Sequence, residues 1–395
     1  MVSKKAIIVV GLGYGDEGKG ITTDYLCLHN LNTIVVRFNG GHQAGHCVVT
    51  KEGKKHVFSN FGSGTLRGIS TYWSSYCTFE PLFFIEELDV LGFDPKIYID
   101  KLCPITTHYD ILYNRALETT LGNNRRGSCG VGFGATIDRC KIQELNFTFE
   151  DFLVPEKAVK KLELIREYYR KKINLETAFV FDNFLYNEED TLFINSIKTI
   201  HELISKNVII PACEHEMFSN NNVWETYIFE GSQAILLDKY FGTKPHITKS
   251  NTTSKNALDI LKRQNIHPQN IEIFYVTRAY QTRHGAGPFR DKNQNFVLCN
   301  NSQETNLSNE YQGEVRYNYL DVDLINYAIE CDTKYSREIT KNLMITCLDH
   351  IGSEDISFYK NNILTKINYR EFSKAILCDF KSVKYSFSNC AEFIK

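Results

Sequence analysis

Ala6-Ile7-Ile8-Val9-Val10 is an unbroken apolar, β-branched run. That is the pattern of a strand covered on both faces rather than one with a wet side. A glycine-rich stretch follows, and then a helix is predicted through Cys27. Thr33-Ile34-Val35-Val36-Arg37-Phe38 repeats the strand pattern and runs into Gly40-Gly41. Strand, glycine turn, helix, strand predicts a parallel α/β sheet. Pro155 to Ile173 reads as a helix, with proline in the first turn and Val159, Leu162, Ile165, Tyr169 and Ile173 on one face. Further strands are expected at Tyr227–Glu230, Ile271–Val276, Asn342–Leu348, Ala375–Phe380 and Val383–Phe387. Asparagine-rich patches at 220–222 and 300–301 read as surface loops. The expected architecture is α/β, a large mostly parallel sheet with a phosphate-loop-like strand-loop-helix at the N-terminus and helical insertions.

Composition narrows the function. Apolar residues make up 43% of the 395, and 23% are charged, which fits a globular chain. Lys plus Arg number 45 against 47 Asp plus Glu, a formal net charge of -2. That balance excludes a sequence-independent binder of nucleic-acid polymers, which needs surplus cations to displace counterions. No apolar run reaches the roughly 20 residues of a membrane helix, so no membrane partner is expected. The apolar start is short and lacks a cleavage site before the glycines, so it reads as a first strand and not a leader. Twelve cysteines occur without a C-x-x-C pair. They read as free thiols of a reducing compartment, and a cytoplasmic location is expected.

The strongest chemical signal is Gly13-Tyr14-Gly15-Asp16-Glu17-Gly18-Lys19-Gly20. It has the G-x-x-x-x-G-K spacing directly after a strand and at the start of a helix. Glycines let backbone N–H groups face a phosphate, and the helix N-terminus adds partial positive charge. Lys19 would reach terminal phosphates. Position 20 is Gly where a metal-binding hydroxyl usually stands, so Asp16 is the expected magnesium ligand. The second signal is Asn39-Gly40-Gly41-His42-Gln43-Ala44-Gly45-His46, two histidines in a turn where open α/β sheets bind ligands. Taken alone, those histidines read first as loop residues bonded to backbone. Cys213-Glu214-His215-Glu216 offers metal-type donors but no second cluster at matching spacing, and reads as a solvated face.

Together these blocks resemble the adenylosuccinate synthetase family, which shows W-G-D-E-G-K-G and G-G-H-N-A-G-H at this separation. Phe229-Glu230-Gly231-Ser232-Gln233, Gly242-Thr243, Pro245 and Thr248-Lys249-Ser250-Asn251-Thr252-Thr253 resemble its F-E-G-A-Q and G-T-x-P-x-V-T-S-S-N-T-T segments. Arg278 to Phe289 resembles K-A-Y-x-T-R-V-G-A-G-P-F. The likeness runs from about residue 5 to about 350. It implies a ligase that joins IMP to L-aspartate with GTP and Mg2+, through a 6-phosphoryl intermediate. It further implies Asp16 as base for purine N1 and as metal ligand, with the Gly45 carbonyl as second ligand. His46 would act on the 6-oxygen and Lys19 on phosphate. Gly15, Glu17, Gly18, Gly20, Gln43, Ser128, Cys129, Arg139, Gln233, Thr248 and Asp349 would contact nucleotides, with Arg139 matching an arginine sent across a homodimer interface. Gly313 and Arg316 would hold the amino acid. The chain is expected to be one large domain over 1–395, with a helical insertion at about 105–220 and a shortened C-terminal region at 350–395.

Departures from the family pattern leave alternatives open. Glu314 stands where the family has the first arginine of T-T-G-R-x-R, which is repulsive to a carboxylate ligand unless turned away. Cys347 replaces the lysine of T-K-L-D before Asp349, so ATP or dATP is an alternative donor to GTP. A branch of the family in bacteriophages couples dGMP to aspartate, and a 2-aminoadenylosuccinate synthetase-like enzyme using dGMP or GMP is the second reading. The third is a nucleotide-binding regulator without turnover.

Overall fold

The computed structural model describes residues 4–184, 186–219, 222–300, 311 and 313–395. Nine strands form one sheet: β1 (Lys5–Gly11), β2 (Thr33–Arg37), β3 (Ser70–Trp73), β4 (Ile97–Asp100), β5 (Ile209–Ala212), β6 (Thr226–Ala234), β7 (Ile271–Arg278), β8 (Thr340–Thr346) and β9 (Ser382–Tyr385). Their order is β9-β8-β7-β1-β6-β2-β3-β4-β5, and every neighbouring pair is parallel. Ala6 to Val10 is at most 1% exposed, because helices cover both faces and β1 lies between two neighbours. The unbroken apolar run was the sequence's report of that burial.

β1 leads into helix α1 (Lys19–His29), and α2 (Pro81–Leu91) joins β3 to β4. The crossover from β4 to β5 is helical. It contains α3 (His108–Leu121), α4 (Phe133–Arg139), α5 (Pro155–Glu176) and α6 (Asn187–Ser205), which pack on a second apolar cluster centred on Trp73, Phe79, Phe149 and Ile165. In α5 the buried face is Ala158, Leu162, Ile165, Tyr169 and Ile173. Val159, expected on that face, is 39% exposed, because the stripe enters the core one residue earlier.

The tail corrects one expectation. Ala375–Phe380 forms no strand; a 3₁₀ turn ends at Ala375 and Leu377 is 79% exposed. An apolar run needs a sheet edge to join, and β9 alone takes that edge. The cysteines are unpaired, as expected. Among the described residues no helix is long and apolar enough to cross a membrane. Because all nine strands are parallel, their carboxyl ends lie on one side of the sheet. The loops after β1, β2, β6, β7, β8 and β9 converge there, the edge where open α/β sheets bind ligands.

Candidate active site

The loop after β1 turns sharply, with positive φ at Gly15 (108°), Asp16 (64°) and Gly18 (93°). A Cβ on Gly18 would lie 2.8 Å from Thr346 Cγ2 on β8, so glycine is needed for close approach as well as conformation. Glu17 folds back beneath the loop. Its Oε1 accepts from Gly13 N at 3.1 Å and Gly15 N at 2.7 Å, and its Oε2 accepts from Lys19 Nζ at 2.6 Å. The amides assigned to phosphate are thus partly taken by the chain's own carboxylate, which fixes the loop. Lys19 is 3% exposed and lies at the edge of a cavity with the Gly15, Asp16 and Gly18 turn.

Asp16 is gripped from the β7 side. His284 Nε2 lies 2.6 Å from its Oδ2, and Arg278 Nε donates to its backbone carbonyl. Burial pushes the Asp16 carboxyl up, but the hydrogen bond and charge of His284, with Arg278 and Lys19, outweigh it and hold the group below the usual carboxylate range. Asp16 is therefore ionised at neutral pH, and Nε2–H of His284 is the donor. Arg278 Nη1 donates to Tyr280 Oη at 2.6 Å, and that hydroxyl meets His350 Nδ1 at 2.8 Å.

His46 is gripped from the β6 side. Its Nδ1 lies 2.7 Å from Glu230 Oε1, and Glu230 is fully buried. Ser63 donates to the same carboxylate through N, at 3.1 Å, and through Oγ. Burial pushes the Glu230 carboxyl up, but His46, Arg37 and the Ser63 hydroxyl pull it below its ordinary value. Burial also lowers His46, and Glu230 only partly offsets this, so the resting ring is neutral. With Nδ1–H given to Glu230, Nε2 is the free atom, and it is buried without a partner. His42 serves otherwise. Its ring stacks on Phe83 at 4.8 Å, and burial lowers its pKa to about 3.

Two cavities adjoin at this edge. The first, about 190 Å³, is walled by Asn114, Arg126, Ser128, Thr248 and Arg283 among others. The second, about 280 Å³, is walled by the first loop, Gly45, His46, Arg278, Cys347, His350, Ser388 and Asn389. Tyr14, Gln43, Cys129, Gln233, Leu237 and His284 line both. Buried polar atoms lacking partners lie at the junction, both amide atoms of Gln43, Gln233 Oε1 and His284 Nδ1, and His46 Nε2 faces the second cavity beside it. Protein interiors rarely leave such atoms unpaired, so they mark where a polar ligand completes the site.

Several expected residues lie elsewhere. Arg139, expected at a nucleotide across a dimer interface, is fully buried in its own chain. Its Nε donates to Asp110 Oδ1 at 2.9 Å and Nη2 to Oδ2 at 3.1 Å, and it also donates to the Leu145 and Ile105 carbonyls. A guanidinium so engaged can reach no ligand; Arg126 is the arginine of α3–α4 that faces the first cavity. Gly313 and Arg316 line neither cavity. Arg316 Nη2 donates to the Gly285 and Gly287 carbonyls, and the Glu314 side chain is exposed. Asp349 accepts from Asn300 at 3.0 Å and lies outside both linings, although neighbouring His350 is within one. Glu214 pairs with Arg263, and no group of three or more His, Cys, Asp or Glu among the described residues could hold a metal unaided. Asn220, Asn221, Asn301, Asn309, Glu310 and Gln312 lie outside the described residues.

Sequence reasoning missed Glu230 and His284 as partners. Both stood inside recognised segments, but their contacts span 184 and 268 residues. The one signal available was a histidine at 284 where the family pattern has valine.

Comparison with known proteins identifies the family and the fold. Residues 8–358 match the family model described as adenylosuccinate synthetase. The adenylosuccinate synthetase of Neisseria gonorrhoeae (strain NCCP11945) is 30% identical over 297 residues, covering 73% of this chain and 65% of that protein. That of Wigglesworthia glossinidia brevipalpis is 33% identical, covering 75% and 68%. That of Buchnera aphidicola is 27% identical, covering 93% and 83%. The matched stretch thus spans about two thirds of the first curated relatives. Among solved structures, fully ligated adenylosuccinate synthetase from Plasmodium falciparum has a TM-score of 0.74 at 18% identity, covering 98% of both chains. The succinoaminodeoxyadenylate synthetase of cyanophage S-2L, bound to dGMP and dATP, has a TM-score of 0.65 at 13% identity, covering 100% and 95%. These two likenesses show a shared fold.

Proposed function

The chain belongs to the adenylosuccinate synthetase family, and from that premise we propose that it joins a 6-oxopurine nucleoside monophosphate to an amino acid using a nucleoside triphosphate. The reading is IMP with L-aspartate and GTP. The observation that carries it is the pair of adjoining cavities whose common wall holds the unpartnered atoms, with Asp16 and His46 beside it. On this reading each cavity takes one nucleotide, and the two react at the junction.

The chemistry follows from the residues. A purine 6-oxygen is a poor leaving group until it is phosphorylated. Asp16, ionised and fixed by His284, takes the N1 proton, and the electron pair moves to the 6-oxygen. That oxygen forms a bond to the γ-phosphorus as the bond to the β-phosphate oxygen breaks. Lys19 holds phosphate charge. The arriving phosphoryl charge adds to that of Glu230 in favouring protonation of His46, whose Nε2–H then donates to the 6-oxygen. The amine of the amino acid attacks C6, and phosphate departs with the former 6-oxygen.

Asp16 and the Gly45 carbonyl line the same cavity and offer only oxygens, which suits magnesium. They would hold it, and when bound it supplies charge neutralisation to the phosphates. A homodimer is proposed on family grounds, and a cytoplasmic location fits the free cysteines. Incubation with IMP, GTP, magnesium and L-aspartate should release phosphate and shift the purine absorbance. Asp16→Asn should fold and bind but release none. No phosphate from IMP, GMP or dGMP with either GTP or ATP contradicts the ligase reading.

A further inference from the structure

The first cavity has a charged end that the chemistry above does not use. On the ligase reading this cavity takes the monophosphate, because the glycine loop and Lys19 wall the second. The purine edge then lies at the junction, and the phosphate lies toward the residues that wall the first cavity alone. Three cations are among them: Arg126, Lys249 and Arg283.

Two of the three are already engaged. Arg283 donates to the Ala286 and Pro288 carbonyls, at 3.3 and 2.9 Å, and its guanidinium lies 4.1 Å from the centre of the Tyr14 ring. The charge of Arg126 acts on Glu118 and Glu176, and Lys172 donates to Glu176 at 2.6 Å, so two cations there meet two carboxylates. Arg139 is closed in its socket.

The balance at Lys249 is the reverse. Its Nζ lies 3.3 Å from Asp138 Oδ2, and Lys141 Nζ lies 2.6 Å from Oδ1 of the same carboxylate. Two ammonium groups share one carboxylate, which leaves positive charge in excess at this wall. The Lys249 and Asp138 side chains are 45% and 43% exposed, so their pair contributes little and is given up at small cost. The lysine stem is seated against α4: a Cβ on Gly134 would lie 3.2 Å from Lys249 Cγ, and glycine there makes room for it. Thr248, its neighbour in the chain, brings a hydroxyl to the same wall.

We propose that Lys249 binds the 5′-phosphate of the monophosphate, its ammonium turning from Asp138 to the phosphate while Asp138 keeps Lys141. This rests on the ligase reading for which cavity takes the monophosphate. A phosphate drawn out of water needs a cation and hydrogen-bond donors, and an ammonium supplies both.

The test is equilibrium binding of IMP and of inosine, which lacks the phosphate, by calorimetry to the intact protein and to Lys249→Met, Lys249→Arg and Lys141→Met. Phosphate release is followed in parallel. In Lys249→Met the affinity for IMP should fall about tenfold or more, as for loss of a charge-assisted hydrogen bond, while the affinity for inosine is unchanged. The KM for IMP should rise by the same factor, and the KM for GTP should not move. Lys249→Arg should keep most of the affinity. Lys141→Met makes the same change of charge against the same carboxylate without touching the cavity, and should bind IMP as the wild type does. IMP affinity unchanged in Lys249→Met, or IMP and inosine weakened equally, overturns the proposal. So does a loss in Lys141→Met as large as that in Lys249→Met, or a wild type that binds IMP no tighter than inosine. Absence of phosphate release, with a preference for IMP over inosine that depends on Lys249, counts against the ligase reading and leaves the role of Lys249 standing.

Discussion

Glu230→Gln separates the electrostatic role of Glu230 from its shape. The side chain is fully buried, accepts from His46 Nδ1 at 2.7 Å, and also accepts from Ser63. Glutamine keeps the volume and can still accept from the Ser63 amide, so the fold should survive. What is lost is the charge opposite the imidazolium that forms during phosphoryl transfer. A hydrogen bond to a charged group contributes about 1.5–3 kcal/mol net. At 1.36 kcal/mol per decade, kcat should fall about 10- to 150-fold. The KM for each nucleotide should stay within about twofold, because the charge matters after binding. The assay is the initial rate of phosphate release at saturating substrates, with the thermal midpoint recorded in parallel. A variant that melts like the wild type and keeps more than half its kcat would refute the coupling of Glu230 to His46.

Two further outcomes are expected. Arg139→Met strands Asp110 as a buried charge and should cost about 3–5 kcal/mol of stability in urea titrations, while the molecules that remain folded bind nucleotide as the wild type does. Normal stability with lost binding would restore Arg139 to the site. Glu80, fully buried and N-cap of α2, has its carboxyl pushed from its ordinary 4.5 up to about 8, mainly by burial. The folded state then holds a proton that the unfolded state has released. Stability from this group is full below about 4.5 and is lost as pH rises through about 8, at roughly 1.4 kcal/mol per pH unit between those limits. Glu80→Gln should flatten that slope between pH 6 and 8 in denaturant titrations; an unchanged slope contradicts the assignment.

The parts of this protein legible in the sequence are those written in local pattern. β1, the turn and α1 are adjacent, and burial on both faces of a central strand leaves an unbroken apolar run. The same logic found β2, β6, β7 and β8. It failed at Ala375–Phe380, where the residues are apolar but no sheet edge is available to them. Site residues followed a similar division. Asp16, Lys19, His46 and Gln233 come from compact motifs, and the fold brings them to one edge. Arg139 was misread because spacing cannot distinguish an arginine facing a phosphate from one closed in a socket of Asp110 and two carbonyls. Glu314 looked repulsive on paper, and its exposed side chain removes that objection. The partners that tune the catalytic pair are Glu230, on β6 beside β1, and His284, on the short strand Gln281–His284 that follows β7, and no local pattern encodes that meeting.

The central claim is that the 6-oxygen of the purine is phosphorylated and then displaced. The direct measurement uses a nucleoside monophosphate labelled with oxygen-18 at the 6-position, with the amino acid, triphosphate and magnesium. The inorganic phosphate released is then analysed by mass spectrometry. The account predicts one labelled oxygen in each phosphate formed, with loss of label from the purine product. Unlabelled phosphate, or phosphate released without consumption of the monophosphate, would contradict it.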